Sequence, residues 1–184
     1  MAVVSDLKNH QLVVFNYKSK QFVRTFGSRG THGGQFMHPR GLAVTDFGHI
    51  VVCDSSRIQV FTMTDKSILK DILCLHELRP RLPKDGLYYS VTSCVSRNAV
   101  VIADFHNCGI LTVALDDLDQ DGQPKTHHFK FTDIQLNRLI SVDHDAPLQF
   151  SGEVYVRGVC MTNTDQVWIC AVNDVDQWTL IHLR

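Results

Sequence analysis

The sequence predicts an all-β protein built as a β-propeller of about four blades, its ring incomplete or open. Three observations predict it. Short β-branched segments end in Asp6, Asp54 and Asp104, spaced by 48 and 50 residues. Gly, Asn, Asp and Ser separate these segments, and almost nothing in the chain repeats with a helical period. A recurrence of roughly 40–50 residues made of short strands marks radially stacked four-stranded sheets, since one such sheet cannot bury both faces alone.

Val3–Phe15 (VVSDLKNHQLVVF), Val51–Phe61 (VVCDSSRIQVF) and Val101–Val113 (VIADFHNCGILTV) share one pattern: a β-branched run, a small residue, Asp, a polar stretch and a second β-branched run. A fourth copy, Val167–Leu183, has Ala171 in place of the Asp. A second element precedes the first. Arg40–Cys53 aligns without a gap to Arg157–Cys170, each opening on Arg-Gly, turning through polar residues and ending in a β-branched strand; Ser90–Ala103 keeps the alternation but lacks Arg-Gly. The unit is therefore strand, tight turn, strand, polar loop, strand, and one further strand. That last strand is expected at Phe22–Phe26 in the first unit and near Ile68–Leu75 in the second.

Approximate units are 1–38, 39–87, 88–153 and 154–184. Pro124–Phe150 reads as an irregular insertion and Leu136–Val142 as loop. The acidic run Asp116–Gly122 reads as a turn, because it lacks the twelfth-position Glu of a calcium loop. The first segment starts at a strand-two equivalent and Trp178–Leu183 is a third strand, so the ring reads as a fragment or as open. Its free strand edges are expected to self-associate unless partnered.

Of the 184 residues 44% are apolar, which fits a soluble domain and not disorder. The longest apolar runs span four or five residues against the ~20 of a membrane helix, so no membrane partner is expected. MAVVSDLKNH has no secretory pattern, and the six cysteines form no C-x-x-C pair, so a reducing, cytoplasmic setting is expected. Residues 1–100 hold 13 Lys and Arg against 7 Asp and Glu, whereas 101–184 hold 5 against 12. Such a split suggests a basic face in the first half, and basic faces attract phosphates or acidic proteins.

Phe26–Phe61 (FGSRGTHGGQFMHPRGLAVTDFGHIVVCDSSRIQVF) resembles the NHL repeat: Phe-Gly, a Gly-rich stretch ending Gly-x-Phe, x-x-Pro-x-Gly, a strand, Asp-x-x-Gly, a strand ending in Asp, and Arg-Ile-x-x-Phe. The stretch between Asp54 and Arg57 is shorter than in that family and lacks the usual Asn before the Arg. The resemblance is specific over those 36 residues, good over Val3–Phe15 and weaker beyond. It implies a propeller recognition module of the kind found in tripartite-motif proteins, where a RING finger elsewhere in the protein links it to ubiquitin transfer; no RING ligand series occurs in these residues.

Strand alternation places the link between blades and the loop between strands two and three on one face. That face is expected to gather Lys8, His10, Arg29, His32, His38, Arg40 and Arg57, with Phe36 and Phe105 nearby. Cations interleaved with rings suit phosphate contacts and base stacking, as in single-stranded RNA or hairpin binders. They suit an acidic protein partner equally well. A scaffold that touches no nucleic acid is the alternative. Asp54 and Arg57 are also expected to brace the loop they flank, as the recurrence of the Asp implies. His127 and His128 would point to opposite sides of a strand, which argues against a shared metal. Neither G-x-S-x-G, P-loop nor H-E-x-x-H occurs, so neither a catalytic role nor a cofactor is expected.

Overall fold

In the computed structural model the described residues are 1–55, 57–63, 72–78, 87–94, 96–118, 124–130, 140–141, 154–164, 166–173 and 178–183. They form antiparallel sheets of short strands. The first holds β1 (Ala2–Asp6), β2 (Gln11–Asn16) and β3 (Gln21–Phe26). The second holds β4 (Pro39–Val44), β5 (His49–Asp54), β6 (Arg57–Met63) and β7 (Ile72–Leu78), and the third β8 (Tyr88–Ser93), β9 (Ala99–Asp104), β10 (Gly109–Leu118) and β11 (Pro124–Lys130). In the fourth, β13 (Val154–Met161), β14 (Val167–Asn173) and β15 (Trp178–Leu183) run in order, and β12 (Ile140–Ser141) pairs with the outer edge of β15.

The sheets stack face to face like blades. Strand β5 shows why. Ile50 and Val52 point into one core with Leu12, Val14, Phe36 and Phe61, while Val51 and Cys53 point into another with Tyr88, Val91, Val100 and Ile102. Strand β9 repeats the device: Val100 and Ile102 face the second sheet, and Ala99, Val101 and Ala103 face Val156, Val159, Ile169 and Ala171 of the fourth. A run of four or five apolar residues with no alternation, as at Ile50–Cys53 and Ala99–Ala103, is unusual in an antiparallel sheet with one wet face; here both faces are dry. Each fully buried aliphatic contributes about 1.5–3 kcal/mol. Among the described residues the four propeller-like sheets form no closed ring, which matches the expected fold class.

Three expectations are corrected. Pro124–Lys130 is not part of an irregular insertion but the outer strand of the third sheet, in register with Gly109–Leu118 after a bulge. Ile140–Ser141, expected in loop, supplies the fourth sheet's outermost strand; a two-residue strand leaves no alternation to read in sequence. Asp116 and Asp117, expected in a turn, still belong to β10, where Asp117 pairs with Lys125 at 2.7 Å. The other strands lie close to their expected places, β7 beginning at Ile72; the rest of the expected Ile68–Leu75 segment and the remainder of 131–153 lie outside the described residues.

Strands β4, β8 and β13 line the inner edge, and their backbones approach closely. A Cβ built on Gly41 would lie 2.9 Å from Ser90 Cα on the next blade, so only glycine fits there. Laterally, Ser5 Oγ donates to Arg40 O at 2.7 Å, and Ser90 Oγ donates to Val159 O at 3.3 Å. The replacement Gly41→Ala is expected to lower stability by about 1–3 kcal/mol through overpacking; an unchanged urea midpoint would refute that close approach.

Burial, with the charges of Asp54 and Asp104 beside it, raises the Cys53 thiol well above its ordinary range, whereas Cys160 is exposed. Iodoacetamide at neutral pH is therefore expected to label Cys160 in the folded chain and Cys53 only after denaturation. Peptide mapping of the alkylated protein reads the difference.

Candidate functional site

The loop face is built on carboxylates at the ends of strands. Asp54 Oδ1 accepts from the backbone N–H of Met37 at 2.7 Å and of His38 at 2.8 Å. Its Oδ2 takes the Arg57 Nε at 2.8 Å. The Arg57 guanidinium then donates to the carbonyls of Thr31 (2.5 Å), Gly30 (3.1 Å) and Gln35 (2.8 Å). Gln59 completes the brace, donating to Gln35 O at 2.7 Å and accepting from Gly34 N at 3.0 Å. Three side chains of the second sheet thereby hold the whole Gly-rich link from the first. Gly27, at φ 90°, permits the start of that link, where a Cβ would overlap the Phe36 ring.

Asp6 and Asp104 repeat the motif on a smaller scale. Asn9 Nδ2 donates to Asp6 Oδ2 at 2.7 Å and Asn9 N to Oδ1 at 3.1 Å; the side-chain bond, followed by the backbone bond, holds the Asp6 carboxyl below its ordinary range. Asn107 makes the same two bonds to Asp104, at 3.0 and 3.3 Å. The recurring Asp therefore closes a loop in each case, as its repetition implied.

Above these loops lies a ladder of guanidiniums and rings. Arg40 Cζ sits 4.6 Å from the Tyr89 ring, and Arg157 Cζ sits 4.8 Å from Tyr89 and 4.4 Å from Phe105. Phe105 stacks on Tyr155 at 4.7 Å and meets Tyr89 edge-on at 5.4 Å. Arg40, Tyr89 and Arg157 occupy equivalent places on three successive inner strands. Each lies within a register shift, between Pro39 and Leu42, between Tyr88 and Ser90, and between Val156 and Gly158. Bulges re-aim side chains, and here three of them are repeated around the inner edge. Among the described residues no carboxylate pairs with Arg40 or Arg157, and Arg40 Nε is buried without a hydrogen-bond partner.

The gapless alignment of the sequence set Ser90 against Arg40 and so missed Tyr89. The turn between β8 and β9, closed by Cys94 N to Ala99 O, is one residue longer than the turn closed by Thr45 N to His49 O, which shifts the match by one. Arg157 was legible in the same alignment but was not carried to the site. Tyr155 gave no signal.

The remaining expected residues divide. Lys8 is exposed in the β1–β2 loop, and His10 beside it has φ 55°. The His10 ring lies 5.1 Å from that of His38, whose Nδ1 is 3.4 Å from Ser55 Oγ, so these two loops do meet. Arg29 and His32 are exposed on the link, but among the described residues no hydrogen bond or ring contact joins them to the ladder. Arg57 must be corrected. At 2% exposure its guanidinium is spent on Asp54 and three carbonyls, so it positions the link instead of meeting a ligand. Phe36 is likewise buried in the core. Replacing Asp54 by Ala is expected to cost about 3–5 kcal/mol, since the buried Arg57 charge is left without its counter-ion; a loss below 1 kcal/mol in chemical denaturation would contradict this, on the scale of surface pairs.

No family model matches the chain, and neither does any curated protein sequence. Solved structures do. The β-propeller domain of Cps50 (Swd1) from Myceliophteria thermophila is similar with a TM-score of 0.57 at 8% identity, over 97% of this chain and 48% of that one. A protein from Lactobacillus plantarum is similar with a TM-score of 0.57 at 11% identity, over 98% of this chain and 53% of that one. The chain spans about half the length of these structures, and at such identities the likeness concerns the fold.

Proposed function

We propose that this propeller is a non-catalytic recognition module of the NHL type, and that its loop face binds an anionic partner, single-stranded RNA foremost. The observation that carries the reading is the pair of guanidiniums, Arg40 and Arg157, aimed by matching bulges and packed on Tyr89 with no described carboxylate to neutralise them. A guanidinium whose plane rests on a ring is held in orientation while its N–H edge stays able to grip a phosphate. Lys8, His10 and His38 extend the cationic and imidazole character outward on the same face, and Phe105 and Tyr155 supply rings.

An acidic protein segment is the second reading. It is favoured by the Phe105–Tyr155 stack, which occupies ring faces that bases would otherwise use. A role in ubiquitin transfer, which the family resemblance implies, would be delivered by a RING finger outside these residues, with the propeller choosing the target.

Fluorescence anisotropy with labelled single-stranded RNA, hairpin RNA and an acidic peptide, at two salt concentrations, tests the proposal. RNA is expected to bind with an affinity that falls as salt rises. The double replacement Arg40→Ala and Arg157→Ala is expected to weaken binding about tenfold or more, in line with ~1–3 kcal/mol per stacked or bidentate contact. Tighter binding of the acidic peptide than of either RNA would favour the second reading. Affinity for all three ligands unchanged in the double variant would refute the site.

A further inference from the structure

Beside the ladder, and sharing only Arg40 with it, the loop face has a corner where the first sheet closes on the second. The loop after β1, the link and the start of β4 meet there: the His10 and His38 rings lie 5.1 Å apart, and Ser5 Oγ bonds Arg40 O at 2.7 Å. Pro39 is buried, and an extended chain turns its two neighbours, His38 and Arg40, to the opposite side. Asp54 holds the His38 backbone N–H, and Ser55 Oγ lies 3.4 Å from its Nδ1; among the described residues no bond is made to its Nε2. Two nitrogens of this corner, His10 Nδ1 and Arg40 Nε, are buried without a hydrogen-bond partner. Buried nitrogens are ordinarily paired, so two orphans on adjoining segments favour an acceptor oxygen there. The nearby carboxylates do not serve. Asp54 is engaged by Arg57 and two backbone N–H groups, and Asp6 by Asn9. Among the described residues neither pairs with Lys8, His10, His38 or Arg40.

We infer that this corner is a subsite for a terminal phosphate monoester, the end group of a single-stranded RNA; the inference rests on the reading of this face as an RNA site. The donors come from three segments. One loop brings the His10 imidazole, with Lys8 exposed beside it; the link brings the His38 imidazole and the inner strand the Arg40 guanidinium. Donors drawn from several segments to one meeting point suit an end group better than a linking one. A phosphate monoester carries about −1.5 to −2 charges at neutral pH and has three strong acceptor oxygens, so it is held from several directions at once. An internal diester has a single charge, two free oxygens and a chain leaving on either side. With the end group in the corner, the ladder takes the strand that follows, Arg157 reaching it from the far side of the Tyr89 ring.

Fluorescence anisotropy with one single-stranded RNA carrying a 5′-phosphate, a 3′-phosphate or neither tests this and distinguishes the two ends. At least one phosphorylated form is expected to bind about tenfold tighter than the form with neither, as for hydrogen bonds to a charged group. The double replacement His10→Asn and His38→Gln is expected to bring that ratio near one. Asn suits the φ of 55° at position 10 and His38 is exposed, so the variant keeps the fold. A ratio near one in the parent chain, with RNA still bound, would overturn the subsite and leave the proposed function standing. So would a tenfold ratio that persists in the double variant. If no form of the RNA binds, the proposed function fails, and inorganic phosphate decides the corner by itself. At constant pH and ionic strength it is expected to shift the NMR ring-proton resonances of His10 and His38 more than those of His32, His49 and His106. Equal shifts across these histidines would overturn the subsite.

Discussion

A β-strand with an unbroken apolar run, pointing to both faces of its sheet, can be satisfied only when the sheet is covered on both sides, and Ile50–Cys53 of β5 and Ala99–Ala103 of β9 impose that condition on the whole molecule. Ile50 and Val52 require the first sheet, Val51 and Cys53 the third, and Val101 and Ala103 the fourth. A sandwich of two sheets would leave one face of each wet. A row of sheets, each serving as cover for the next, is the arrangement in which such strands are buried without a helical layer. The inner strands then crowd together, and a glycine at position 41 becomes a necessity of spacing.

The same geometry makes a surface. Because strands alternate in direction, the starts of β4, β8 and β13 and the loops after β1, β5 and β9 come to one side of the row, as the pairing of Pro39 with Asp54 and of Tyr88 with Asp104 records. Carboxylates close the loops, and one of them, Asp54, reaches across with Arg57 to fix the link between two blades. The polar groups that look most chemical in the sequence are thus divided by burial. Those inside the loops hold the surface rigid, and those on the bulges of the inner strands face outward from it. A rigid surface loses little conformational entropy when it binds, which suits a recognition role.

Much of this was legible in the sequence, for physical reasons. The Asp at a fixed step recurs because each blade needs the same loop closed in the same way, so spacing alone exposes the repeat. The runs Ile50–Cys53 and Ala99–Ala103 are apolar without alternation because both faces of their sheets are buried. What escaped notice depended on lengths too short to carry a pattern. One extra residue in the turn before Ala99 moved Tyr89 into line with Arg40 and Arg157, and a gapless comparison cannot see such a step. Strand β12 has two residues and no alternation at all. Arg57 illustrates a different limit: a guanidinium reads the same in sequence whether it meets solvent or three carbonyls, and only the packing of the link decides.

Native-state hydrogen exchange measures the dependence of the fold on its two doubly covered strands most directly. If shared cores hold the row together, amides of β5 and β9 exchange last and lose protection together as denaturant is raised, after β1 and β15 at the ends. Equal protection in β3 or β15, or separate loss of β5 and β9, would show that each sheet is stable by itself and that burial between blades is not what the structure rests on.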